Sequence, residues 1–172
     1  MSGASGASTA DIEAAARRVL DACRTRHLLV ATAESCTGGL VAGALTDIAG
    51  SSEVVDRGFV TYSDQSKQDM LDVPATMIAA HGAVSRATAA AMASGALARS
   101  PADLVVAITG IAGPGGGSAD KPVGLVRFAA AARDGRALQE ERRFGEIGRA
   151  EIRARAVLMA LDLLEKLATS AR

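Results

Sequence analysis

Ala33-Glu34-Ser35-Cys36-Thr37-Gly38-Gly39 is the stretch that decides how this chain folds. It follows the apolar segment Leu28-Leu29-Val30-Ala31-Thr32-Ala33 and precedes Leu40, Val41, Ala44 and Leu45 at helical spacing. The pattern predicts a buried strand that ends in small hydroxyl residues and opens a helix. Such a turn presents backbone N–H groups and hydroxyls at the end of a strand, where α/β sheets hold ligands. Taken alone, the stretch also allows a plainer reading, in which Thr37 caps the helix and the two glycines ease the turn.

Outward from this turn, the chain alternates strand and helix signals. Ile12, Ala15, Ala16, Val19, Leu20 and Cys23 recur at helical spacing and predict a first helix from Thr9 or Ala10 to Arg24. The strand at 28–33 and a helix at 38–47 follow, then a turn at Ala49-Gly50-Ser51-Ser52 and a second strand from Val54 to Tyr62. Helical segments are predicted at 63–71, 74–80 and 86–99, and a buried strand from Leu104 to Thr109. Val123–Ala132 and Ala137–Phe144 bracket Asp134-Gly135, a strong hairpin signal. A last helix at 148–168 carries one apolar stripe. The expected fold class is α/β: a single-domain mixed β-sheet covered by helices. The expected domain spans 9–168, between a flexible tail at 1–8 and a short tail at 169–172.

The composition excludes several functions. The 172 residues suit one domain with a sizeable core. Nineteen basic residues balance nineteen acidic ones, so no net field steers the chain to nucleic acid or an anionic membrane. Tyr62 and three phenylalanines are the only aromatics, too few for a base-stacking platform. No nucleic-acid partner and no membrane partner are expected. Cys23 and Cys36 point to a reducing, cytoplasmic setting and not to a disulfide framework. His27 and His81 form no metal-spaced cluster with them, so neither a metal nor a cofactor is expected. No segment has the length of a membrane span or the pattern of a signal peptide.

Few groups can carry chemistry. The glycine-rich loop Gly110-Ile111-Ala112-Gly113-Pro114-Gly115-Gly116-Gly117-Ser118 lacks both the P-loop lysine and the last glycine of the dinucleotide fingerprint. Its place after a buried strand still favours a site. The lysines are Lys67, Lys121 and Lys166. Lys67 stands one helical turn past a strand end, in Tyr62-Ser63-Asp64-Gln65-Ser66-Lys67. It could serve as a base only if burial or a nearby cation lowered its pKa. Spacing alone reads it as a solvated helix lysine.

The ordered motifs change that reading. The opening stretch is followed by Asp47-Ile48-Ala49-Gly50-Ser51-Ser52, Arg57-Gly58-Phe59-Val60-Thr61-Tyr62-Ser63 and His81-Gly82-Ala83-Val84-Ser85. Then come Thr109-Gly110 with the glycine-rich loop, and Lys121-Pro122-Val123-Gly124. This series closely resembles the CinA C-terminal domain family over roughly residues 10–168. The activity characterised in that family is deamidation of nicotinamide mononucleotide. With no companion N-terminal domain ahead of it, the chain reads as the stand-alone form. One departure stands before the last helix: the family's frequent Gly-Asp-Arg is replaced by Gly145-Glu146-Ile147-Gly148-Arg149.

The resemblance implies hydrolysis of the mononucleotide to nicotinic acid mononucleotide and ammonia. It implies a catalytic group of Ser52, Tyr62 and Lys67 with Ser35 close by. Ser52 is favoured as nucleophile, Lys67 as its base and Tyr62 as a proton relay or orienting hydroxyl; Ser35 is the rival nucleophile. Thr109 and Arg149 resemble substrate-binding positions, and Gly38, Gly39 and Gly113 would bring backbone close to the ligand. The family also favours a homo-oligomer, a dimer foremost. Two other readings compete: a nucleotide-binding regulatory module without catalysis, and an amidase for another carboxamide.

Overall fold

The computed structural model describes residues 6–170. The tail predicted at 1–8 therefore falls largely outside the described residues, as do residues 171–172 of the C-terminal tail. Ser8, placed in that tail by the sequence reading, is instead a helix cap. Its Oγ accepts from the Asp11 N–H at 3.1 Å, and the Asp11 carboxylate accepts from the Ser8 N–H in return. That reciprocal pair satisfies two donors at the start of a helix.

Twelve segments follow in order. Helix α1 (Thr9–Thr25) leads to β1 (Val30–Glu34) and α2 (Leu40–Thr46), then a single 3₁₀ turn at Ser51–Glu53 and β2 (Val55–Val60). Helices α3 (Asp64–Leu71), α4 (Ala75–His81) and α5 (Arg86–Ala98) precede β3 (Leu104–Gly110). The hairpin β4 (Leu125–Ala132) and β5 (Ala137–Arg143) is followed by α6 (Arg149–Thr169). The sheet order is β2-β1-β3-β4-β5. Strands β2, β1 and β3 run parallel, and β4 runs antiparallel to both of its neighbours, β3 and β5. The mixed sheet expected from the sequence is the fold.

Alternation along the strands sorts the core into two layers. Val30, Leu104, Val106, Ile108, Val126 and Phe128 face α1, α2 and α6, where Val19, Leu45, Ile152 and Leu164 are buried. Ala31, Ala33, Val105, Ala107 and Ala129 face the other way, onto Ala89, Met92, Ala93 and Ala96 of α5. Small residues meet small residues in this second layer, so α5 lies close to the sheet, and Phe59 is the one aromatic among the layer's buried side chains. Helix α5 also packs tightly on α3 at Gly95, where a Cβ would overlap the Leu71 carbonyl. Strands β1 and β3 are buried throughout their central length because neighbours flank them and helices cover both faces. The edge strand β2 is mostly exposed.

The parallel arrangement places the carboxyl ends of β1, β2 and β3 along one edge of the sheet. The turn at 35–39, the segment from Thr61 into α3 and the glycine-rich loop all leave from that edge. The 3₁₀ turn that carries Ser52 lies at the opposite edge, before the first residue of β2.

Candidate active site

Glu34 sets the turn. Its side chain is fully buried at the last position of β1, and its carboxylate accepts from Val41 N–H at 2.9 Å and Ala42 N–H at 3.0 Å. Thr32 Oγ1 donates to the same carboxylate at 3.1 Å. A strand carboxylate thus caps the first turn of α2, whose N-cap Gly39 has a φ of 98° and no side chain to offer. Thr37 is not the cap: its hydroxyl is buried and has no partner among the described residues. The Ser35 N–H donates to Ile108 O at 2.9 Å and the Gly38 N–H to Ser35 O at 3.0 Å. Ser35 is thereby fixed to β3 on one side and to its own turn on the other.

Lys67 comes from the second turn of α3. That helix begins with a reciprocal cap between Ser63 and Ser66, which sets the register that turns Lys67 inward. The side chain is 1% exposed. Its Nζ donates to Ser35 Oγ at 3.2 Å and to Thr61 O at 3.0 Å, with Tyr62 O at 3.4 Å and Ser63 O at 3.5 Å. Burial is the dominant influence on this amine and lowers its pKa. The charge of Asp64 pushes in the opposite direction. Among the described residues Lys67 has no carboxylate partner at ion-pair distance. The solvated helix lysine of the spacing argument is here a buried amine on a serine hydroxyl.

Arg149 is the first residue of α6. Its guanidinium donates to Gly113 O at 2.8 Å and to the Tyr62 phenol at 2.9 Å, with three further N–H groups left for a ligand. Thr109, at the end of β3, is buried and donates to Ala83 O at 2.9 Å, which holds the segment between α4 and α5 against the sheet. Ser35, Cys36, Tyr62, Asp64, Lys67, Ala83, Val84, Thr109 and Arg149 line one cleft of about 200 Å³. Burial pushes the Cys36 thiol up to about 12, so it stays protonated and unreactive beside Ser35.

The structure gathers Ser35, Lys67, Tyr62, Thr109, Arg149 and the turns of Gly38, Gly39 and Gly113, and it leaves Ser52 out. Ser52 is exposed on its 3₁₀ turn, and the six residues of β2 separate it from the Lys67 end of the sheet. At about 3.3 Å per residue that is roughly 20 Å, far beyond proton-transfer reach. The hydroxyl that meets Lys67 is thus that of Ser35, the rival nucleophile of the sequence reading, and not that of the favoured Ser52. Two contributors escaped the sequence reading: Glu34 as the cap, and Arg153, whose Nε and Nη2 donate to Cys36 O at 3.1 Å and Thr37 O at 3.2 Å. Arg153 stands four residues after Arg149, a spacing that puts both on one helix face and was available as a signal.

A buried serine–lysine pair at the carboxyl edge of a mixed α/β sheet, with an arginine at a helix start beside it, has the parts of an acyl-transfer site. The chain matches the CinA C-terminal domain over residues 12–168 and belongs to that family. A CinA-like protein of Synechococcus sp. (strain RCC307) is 51% identical over 156 residues, covering 90% of this chain and 37% of its own length. A nicotinamide-nucleotide amidohydrolase PncC of Enterobacter agglomerans is 47% identical over 141 residues, covering 82% of this chain and 85% of its own length. The chain spans about a third of the length of the CinA-like relatives it matches. Among solved structures, a competence/damage inducible protein CihA from Agrobacterium tumefaciens superposes with a TM-score of 0.90 at 58% identity, covering 97% of this chain and 99% of its own. Among the described residues no helix is long and apolar enough to cross a membrane. None of their His, Cys, Asp and Glu side chains group as a metal site.

Proposed function

We propose that this chain hydrolyses the carboxamide of nicotinamide mononucleotide to nicotinic acid mononucleotide and ammonia, a step of pyridine nucleotide recycling. The observation that carries the reading is the 3.2 Å contact between the buried Lys67 amine and Ser35 Oγ. The name of the Enterobacter agglomerans relative supports the substrate.

In this reading the neutral Lys67 takes the Ser35 proton as Oγ attacks the carboxamide carbon. The carbonyl oxygen becomes an oxyanion beside the Cys36 and Thr37 N–H groups. The C–N bond then breaks, and the lysinium gives its proton to the departing nitrogen, which leaves as ammonia. Water attacks the acyl-serine with Lys67 again as base, and Ser35 is restored as the carboxylate leaves. Arg149, with the N-terminus of α6 behind it, holds the phosphate monoester. Tyr62 steadies that guanidinium from the other side.

The test is ammonia release by the purified chain from nicotinamide mononucleotide, the nucleoside, free nicotinamide and aliphatic amides such as glutamine. The mononucleotide is expected to react fastest. No release from it by folded protein would overturn the reading, and faster release from another amide would assign a different substrate to the same pair.

A further inference from the structure

The turn after β1 contains two backbone donors without a backbone or oxygen acceptor. Cys36 is 5% exposed and Thr37 fully buried, yet the Cys36 N–H meets only its own thiol and the Thr37 N–H has no hydrogen-bond partner among the described residues. A thiol is a weak acceptor and buried N–H groups are almost always paired, so two such donors one and two residues after Ser35 mark a place built for an acceptor.

Their directions follow from the carbonyls. A trans peptide points its C=O and N–H to opposite sides. The Ser35 carbonyl is turned toward the Gly38 N–H, so the Cys36 N–H of the same peptide points the other way. The Cys36 carbonyl is turned toward Arg153 Nε, so the Thr37 N–H points away from α6. The second edge of that guanidinium holds the next carbonyl, Thr37 O. Arg153 makes no ion pair among the described residues, and its planar fork is spent on consecutive carbonyls of one turn. Gly38 lies against it, with space for a Cβ only 3.5 Å from Nη2.

We propose that Arg153 is a positioning residue for the oxyanion: by holding Cys36 O it fixes the peptide whose Thr37 N–H faces the carbonyl oxygen of the bound carboxamide, and by holding Thr37 O it fixes the peptide whose Gly38 N–H holds Ser35 O and so aims the Cys36 N–H. This rests on the reading of Ser35 as the nucleophile. The donors matter only once charge develops on that oxygen, so the fork acts on the chemical step and not on ground-state binding. A lysine here would reach one carbonyl but could not span both.

The experiment compares Arg153→Met, Arg153→Lys and Ser35→Ala with the wild type, measuring kcat and KM for nicotinamide mononucleotide across pH together with thermal melting. Arg153→Met is expected to lower kcat about a hundredfold, the scale of one lost oxyanion donor, with KM within threefold. The pH at which activity rises should not move, because Lys67 is untouched. Arg153→Lys should fall between the two. Unchanged kcat in Arg153→Met, or a loss confined to KM, overturns the proposal. Should Arg153→Met fail to fold, Arg153→Lys decides: lowered kcat at constant KM supports the fork, and wild-type kcat overturns it. An inactive Ser35→Ala beside a fully active Arg153→Met sinks the positioning role alone. An active Ser35→Ala sinks both it and the nucleophile reading.

Discussion

The two edges of the parallel strands each present a serine beside glycines, and only one of them has the surroundings of a nucleophile. At the carboxyl edge Ser35 is 8% exposed and receives a buried amine. At the amino edge Ser52 is exposed on a one-turn helix, in the neighbourhood of an Arg24 guanidinium already paired with Glu53 at 3.0 Å. A guanidinium stays protonated and cannot take a proton from a hydroxyl, whereas a desolvated lysine can. The serines are chemically identical. What separates them is which end of the strand they occupy, since parallel strands end together at the carboxyl edge and leave a crevice there.

The comparison breaks first at the pair itself. Ser35→Ala and Lys67→Met should each reduce ammonia release from nicotinamide mononucleotide by several orders of magnitude, and the double variant should be little worse than either. Additive losses would place the two groups in separate steps. The pH profile sharpens the test. Activity should rise with pH through the lowered pKa of Lys67, because only the neutral amine accepts the proton. Stability carries the same sign. The unfolded chain binds more protons between that lowered value and the ordinary 10.5, so unfolding free energy rises with pH across this window. Lys67→Met, which removes a buried amine while keeping its stem, should therefore melt no lower than the wild type near neutrality, despite its loss of activity. A marked drop in melting temperature would mean that the amine's hydrogen bonds outweigh its desolvation.

Arg149 comes next in size. Arg149→Ala should weaken apparent affinity for the mononucleotide about ten- to a hundredfold, on the scale of 1.5–3 kcal/mol for hydrogen bonds to a charged group. The nucleoside lacking phosphate should lose much less. Equal losses for both substrates would remove the phosphate role, and would assign Arg149 to holding Tyr62 and Gly113 in place. Binding constants for the two substrates, measured with Ser35→Ala to block turnover, make the comparison directly.

The elements were legible because periodicity is local. The strand at 28–33, the hairpin around Asp134-Gly135 and the apolar stripe of the last helix all follow from spacing within a dozen residues. The stretch 33–39 also pointed to the cleft that Ser35 and Cys36 line, although taken alone it allowed a plain helix cap as well. What spacing could not give was which distant groups meet. Lys67 reads as solvated because its inward turn depends on the Ser63–Ser66 cap and on α3 lying over the end of β1. Glu34 reads as part of a motif, and its role as the cap of α2 appears only when strand and helix are seen together. Ser52 is favoured on the family resemblance alone, and nothing in its turn, Ala49-Gly50-Ser51-Ser52, signals that β2 sets it at the other end of the sheet from Lys67.

The smallest expected effect is the most discriminating between the two edges. Ser52→Ala should leave kcat and KM for nicotinamide mononucleotide within about twofold of the wild type and melting within the ±0.5 kcal/mol typical of exposed surface changes. Its side chain makes no hydrogen bond among the described residues, and the strand β2 keeps it away from Lys67. A large loss of kcat would require Ser52 to reach Ser35 or Lys67, which no rotation of a side chain on that turn allows. Such a result would mean that the working site draws its serine from another copy of the chain, whose amino edge packs on this carboxyl edge. Mixing inactive Ser52→Ala with inactive Lys67→Met would then restore activity in the mixed assembly. Wild-type kinetics in Ser52→Ala, with no recovery on mixing Ser35→Ala and Lys67→Met, would instead confine the chemistry to one carboxyl edge of one chain.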